Sequence, residues 1–176
     1  MADFRLENGL AAQGYSTIAG VDEVGRGCLF GPVVAAAVVL PNILYRAHPG
    51  TWVSELDDSK KLSSSKRERL AREILTHAQS VGIGMATNEE IDTINIRCAS
   101  FAAMRRAILQ LSVAADFLLI DGFRLDDVEC PQMGVTKGDS LSSSIAAASI
   151  VAKVFRDMMM IELDRNHLFY CFIGYF

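Results

Sequence analysis

The chain has 176 residues, enough for one domain whose folding removes roughly 70% of the unfolded surface from water. Hydrophobic residues make up 51% and charged residues 22%, with 13 Gly and 4 Pro, which excludes disordered, collagen-like and low-complexity classes. The formal net charge of -4 excludes a protein that coats nucleic acid through positive charge spread over its whole surface, and leaves local basic patches as the route to such a partner.

In chain order, residues 18–21 read as a short buried strand and residues 33–40 as a second, β-branched and Ala-rich strand, with the glycine-rich stretch 25–31 between them. Ser65 and Glu68 have the capping-box spacing of a helix start, and Leu70, Ile74 and Ala78 then share one helical face. Residues 81–86 predict a third strand. A polar break at Thr87, Asn88 and Glu89 leads into a helix to about Leu111, with Phe101, Met104, Ile108 and Leu111 as its apolar stripe. Residues 117–120 form an apolar run ended by Asp121 and Gly122, the pattern of a central strand with a carboxylate at its tip. Residues 132–136 predict a fifth short strand, and Ser142 or Ser143 caps a long helix containing Ile145, Ala148, Ala152, Phe155 and Met159. The whole reads as a single α/β domain built on a mixed sheet of about five strands flanked by helices.

The longest apolar run, residues 32–41, has the length of a strand, so no membrane span is expected. Asp3, Arg5 and Glu7 break any secretory-signal pattern, which places the chain in the cytoplasm as an expectation. Cys28, Cys98, Cys130 and Cys171 are widely spaced and read as free thiols. His48, His77 and His167 are scattered, without the spacing of a metal site or a catalytic dyad. Ser142, Ser143 and Ser144 suit a helix cap better than nucleophilic catalysis, and Met158, Met159 and Met160 suit core filling.

Chemistry is carried by the acids. Asp22 and Glu23 are adjacent, so both reach one site only where their strand ends, and Gly25-Arg26-Gly27 supplies the turn that would allow it. The bland alternative is a solvated acidic turn. Asp121, Asp139 and Asp157 come from distant segments and could converge with them. Clustered carboxylates repel unless cations neutralise them, and ligation by oxygen alone favours Mg²⁺ or Mn²⁺ over zinc. With a phosphate substrate that combination suits two-metal hydrolysis. The alternative is that each acid only caps or pairs locally, Asp157 in particular having Lys153 four residues before it. No Gly-Lys-Ser/Thr follows the glycine turn, which excludes a P-loop. The most basic stretch runs through Ser59, Lys60 and Lys61 to Lys66, Arg67, Arg69 and Arg72, readable as a solvated helix face or as phosphate contacts.

Taken together these segments resemble a known family. Ile18-Ala19-Gly20-Val21-Asp22-Glu23-Val24-Gly25-Arg26-Gly27 followed by Gly31-Pro32-Val33-Val34 resembles the opening of bacterial ribonuclease HII. Asp58-Ser59-Lys60-Lys61-Leu62, Ile120-Asp121-Gly122, and Lys137-Gly138-Asp139 through Ser144 and Lys153 to Arg156-Asp157 resemble its later motifs, in order. The resemblance implies a ribonuclease H-like fold and an endonuclease that cuts the RNA strand of RNA/DNA hybrids and 5′ of single ribonucleotides in duplex DNA. The ends left would be a 3′-hydroxyl and a 5′-phosphate. It further implies Asp22, Glu23, Asp121 and Asp139 as catalytic ligands of Mg²⁺ or Mn²⁺, with Asp157 in support. Gly25, Arg26 and Gly27 would read the ribose 2′-hydroxyl, and Ser59, Lys60, Lys61 and Lys153 would bind substrate. A monomer is the simplest expectation.

The sequence departs from the family at Cys28, where Pro is usual, at the bulky Phe30, and at Phe155, where Thr is common. After about residue 165 it diverges further: Tyr170 aligns with a first family tyrosine, whereas Tyr175 falls out of register with the second. The expected consequence is a weaker grip on the hybrid. The runner-up is accordingly a weakly active or inactive nucleic-acid-binding relative, with a small-molecule α/β enzyme using an acidic metal site as a remote third.

Overall fold

The computed structural model describes residues 1–46 and 51–166. Ile18–Val24 (β1), Val33–Val39 (β2) and Ser80–Ala86 (β3) form an antiparallel meander. Phe117–Asp121 (β4) then joins β1 in parallel, and Gln132–Val135 (β5) joins β4 in parallel. The resulting five-stranded mixed sheet has the order β3-β2-β1-β4-β5, as the alternation of elements predicts. Among the described residues four α-helices flank it: Arg5–Ala11 (α1), Ser64–His77 (α2), Asn88–Leu109 (α3) and Ser143–Asn166 (α4).

Strand alternation sorts the core into two halves. Ile18, Val34, Ala36, Val38 and Leu119 face α2 and α4, whereas Ala19, Val21, Val33, Ala35, Leu118 and Ile120 face α3. The helix α4 lies close to the sheet because its facing residues are small, Ala146, Ala147 and Ala148 being fully buried. Gly20 makes that approach possible, since a Cβ there would stand 2.0 Å from the carbonyl carbon of Ser144. The start of α4 is further anchored by α1. The buried Glu7 carboxylate accepts hydrogen bonds from Ser142 Oγ (2.6 Å) and the Ser144 amide (2.9 Å), and its burial raises its pKa.

Several local expectations shift. Ser63, not Ser65, caps α2, its hydroxyl accepting from the Lys66 amide. The capping box belongs instead to the polar break before α3, where Thr87 and Glu90 bond reciprocally. Within α3 the chain breaks at Asn95, which has φ 68 and whose side-chain oxygen accepts from the amides of Arg97 and Cys98, so it caps the second segment from inside. Ser142 caps α4 through the Ile145 amide. Helix α1 had no expectation, being only seven residues long. Met160 is buried as anticipated, but Met158 is 65% exposed. Cys28, Cys98 and Cys130 are free thiols, and His77 bonds its own helix. Cys171, His48, His167, Tyr170 and Tyr175 lie outside the described residues. No helix among the described residues is long and apolar enough to cross a membrane.

Candidate active site

The sheet opens into a notch at the ends of β1 and β4. The two strands pair in parallel only as far as Val21 opposite Ile120, so the next residues, Asp22 and Asp121, stand side by side where that ladder ends. On its other edge β1 stays paired with β2 as far as Val24, three residues beyond the expected end. The strand is therefore held rigid while it presents Asp22. A cleft of about 700 Å³ lies over this notch, and Asp22, Glu23, Asp121, Asp139 and Asp157 all line it. The convergence anticipated for the five acids is thus realised in one place.

Each acid has a distinct support. Asp22 is 5% exposed, and its Oδ1 accepts from the Glu23 amide (2.7 Å). Desolvation, then the nearby charges of Glu23 and Asp121, push its pKa well above the usual carboxylate range. Burial also raises Glu23, against the pull of Arg26, whose guanidinium approaches it at 3.2 Å. Asp121 Oδ1 accepts from the Gly138 amide at 2.6 Å, which ties the tip of β4 to the turn Gly138–Ser140 that carries Asp139. Asp139 is raised by burial and by Asp58 and Asp121, and lowered by Lys60. Asp157 pairs with Lys153 (2.7 Å) and lies near Arg67 (3.7 Å), so the local ion pair expected from their spacing is present inside the cleft.

The substrate-side candidates divide. Gly25, Arg26, Gly27, Ser59, Lys60 and Lys153 line the cleft. Lys61 points elsewhere, its Nζ donating to Asp57 (3.2 Å) and to Ser140 Oγ (2.9 Å), next to Asp139 in sequence. Phe155 is absent from the lining among the described residues, whereas Cys28 is part of it. Ser149 was not among the expected site residues; its hydroxyl donates to Ser59 Oγ (3.0 Å) in the lining of the same cleft and acts to lower the pKa of Asp22. Its signal was available, because Ser149, Lys153 and Asp157 recur every four residues along one stripe of α4. Arg67, read only as part of a basic helix face, lines the cleft too, fixed by donating to the carbonyls of Ser59 (3.0 Å) and Leu62 (2.6 Å).

The donor set suits a hard divalent cation. Among the described residues no three His, Cys, Asp or Glu side chains are already drawn into ligand geometry. The acids nonetheless offer oxygen donors alone, and Asp22, Glu23 and Asp139 have pKa values raised first by burial and then by neighbouring carboxylates, an environment that a divalent cation would relieve. A cation placed among them would lower all three together.

Comparison with known proteins identifies the fold and the family. The profile of the family described as Ribonuclease HII matches residues 19–174. A ribonuclease HII of Pelotomaculum thermopropionicum is 52% identical over 169 residues, covering 96% of this chain, which in turn spans 60% of that relative's length. Among solved structures, a ribonuclease H2 from Pyrococcus horikoshii OT3 superposes with TM-score 0.72 at 24% identity, over 86% of this chain and 77% of that one. A Bst ribonuclease HIII in complex with Mn²⁺ superposes with TM-score 0.67 at 23% identity, over 89% and 57%. The mixed sheet with its flanking helices is therefore the ribonuclease H-like fold, and the chain belongs to the ribonuclease HII family of enzymes.

Proposed function

We propose that this chain is a monomeric endonuclease that hydrolyses the RNA strand of RNA/DNA hybrids and cuts 5′ of single ribonucleotides in duplex DNA, leaving 3′-hydroxyl and 5′-phosphate ends. The observation that carries the proposal is the meeting of Asp22, Glu23, Asp121 and Asp139 in one cleft beside the Gly25-Arg26-Gly27 turn. The four acids would hold Mg²⁺ or Mn²⁺, and two such ions would supply activation of a water and stabilisation of charge on the leaving oxygen.

The remaining steps belong to the chain's own groups. The turn is closed by the Cys28 amide donating to the Gly25 carbonyl (3.2 Å), which leaves Arg26 and Gly27 at its crest, where backbone groups can approach a ribose 2′-hydroxyl. Lys60 is exposed at the cleft and suits a phosphate on the bound strand. Lys153 and Arg67 share Asp157, which holds their charges in place beside the acids until a phosphate arrives. Asp121 is fixed by the Gly138 amide, so a ligand bound to it is oriented together with Asp139.

The test is cleavage of an end-labelled DNA duplex containing one ribonucleotide, with Mg²⁺ or Mn²⁺, beside an all-DNA control. Cutting 5′ of the ribonucleotide, lost by about 10³-fold or more in Asp121→Asn, is the expected result. A folded wild-type protein that binds the duplex and leaves it intact would instead establish the non-catalytic relative.

A further inference from the structure

We infer that Arg156 is a positioning residue that holds the 2′-hydroxyl-reading loop in shape from beneath; this rests on the nuclease reading above. Arg156 is a fully buried arginine on α4. Its Nε donates to the Pro32 carbonyl (3.0 Å) and its Nη2 to the Phe30 carbonyl (2.8 Å), 124 and 126 residues away in sequence. These carbonyls belong to the segment that returns from the Gly25–Cys28 turn into β2.

The guanidinium fills the inside of that loop. Gly25 has φ +107, and a Cβ on it would stand 2.8 Å from Arg156 Nε and from the Pro32 carbonyl oxygen. Gly31 has φ +91, and a Cβ there would stand 2.6 Å from Met160 Sδ and 3.1 Å from Arg156 Nη2. Glycines at both ends therefore serve two needs at once, a left-handed backbone and room for the arginine. Among the described residues the guanidinium meets no carboxylate and Nη1 has no hydrogen-bond partner, and burying an ionised group on those terms is costly. A methionine or leucine would fill the same volume without that cost. What the guanidinium adds is a rigid planar fork that binds two carbonyls at once.

The fork also ties two parts of the cleft together. Arg156 lies between Lys153 and Asp157 on α4, so one helix carries both the groups facing the acids and the strut beneath the loop. The return of the reading loop toward β2 is then tied by a single side chain to the helix that carries Lys153 and Asp157. A loop free to shift would still bind a duplex electrostatically but would lose its discrimination of ribose from deoxyribose.

The experiment compares wild type with Arg156→Lys and, as an independent disturbance of the same contact, Gly31→Ala. Affinities for a duplex with one ribonucleotide and for the all-DNA duplex are measured with Ca²⁺ to prevent turnover, alongside calorimetric Mn²⁺ titration and hydrogen exchange of the Arg156 Nε–H in the wild type. Expected are a slowly exchanging Nε–H, a roughly tenfold loss of the ribonucleotide preference in the variants, and little change in all-DNA or Mn²⁺ affinity. A rapidly exchanging Nε–H, or folded variants that keep the full preference, would overturn the inference, as would a loss of Mn²⁺ binding in parallel with the preference. If the wild type itself shows no preference for the ribonucleotide, the nuclease reading fails, while the exchange rate still tests the strut.

Discussion

Replacing Asp22 with Asn separates folding from function at the centre of the cleft. Asp22 is 5% exposed, and its pKa lies well above the ordinary range, chiefly through desolvation and then through Glu23 and Asp121. A folded-state pKa above the unfolded one means that the stabilising contribution is fully present below about pH 4 and is lost as pH rises through the folded-state value. Near neutral pH without divalent cations, the wild-type protein therefore carries a penalty that Asp22→Asn removes. Asn keeps a side-chain oxygen to accept the Glu23 amide, now at 2.7 Å, so the hydrogen bond survives the loss of charge. Single stabilising substitutions in natural proteins commonly yield about 0.5–2 kcal/mol, the scale expected for removing this buried charge. For a chain of this size that is about 1–8 °C in Tm. The assay is thermal unfolding followed by circular dichroism in EDTA across the acidic to neutral range. The variant should melt above wild type near neutrality, the gap should close toward about pH 4, and Mg²⁺ should narrow it by stabilising only the wild type. A variant no more stable than wild type near neutrality, or a gap that persists at acidic pH, would refute the reasoning.

Other perturbations address packing and charge. Gly20→Ala drives a methyl group into the backbone of Ser144 and should cost about 3 kcal/mol or more, read as a lowered urea midpoint. Glu7→Ala leaves Ser142 Oγ and the Ser144 amide without their buried acceptor, and should cost about 1–3 kcal/mol in the same measurement. Lys60→Ala should lower the salt slope of duplex binding by about one, because Lys60 lines the cleft. Lys61→Ala should leave that slope unchanged, since Nζ is held by Asp57 and Ser140, and should instead lower kcat through the turn that carries Asp139.

Periodicity and turn chemistry reached most of the architecture because those signals are local. The strand from residue 117 and the strand from residue 33 are apolar runs with clear ends, and both are found within a residue of where they were expected. The end of β1 was harder to see, because Asp22 and Glu23 read as the start of a turn, yet pairing with β2 carries the strand on to Val24. The cap of α2 was misplaced among three consecutive serines, Ser63, Ser64 and Ser65, which propensity alone cannot rank. Helix α1 is too short for a periodic signal, and it is held by Glu7 through contacts 135 and 137 residues away.

The site divides along the same line. Asp22 and Asp121 were legible because they close apolar strand runs and Asp139 because it follows a glycine, Asp157 showed only its helical spacing from Lys153, and the resemblance to a family joined them. Their separation into roles was not, since it depends on which cations reach which carboxylates. Arg67 looks like one of several basic residues on α2, yet it alone of Lys66, Arg67, Arg69 and Arg72 lines the cleft. Lys66 and Arg69 instead pair with Glu55 outside it. The lining holds five acids and four bases, and three of those bases, Arg26, Arg67 and Lys153, already engage Glu23 or Asp157. Lys60 is left to face Asp22, Asp121 and Asp139, so the acids outnumber the free bases in the lining of the bare cleft. Added cations would reverse that local sign without any change in the chain's overall charge of -4. On the proposed reading, the grip on a polyanion is local to this cleft and needs no positive charge elsewhere, and the same cations would offset the burial and carboxylate repulsion that raise the acids' pKa values.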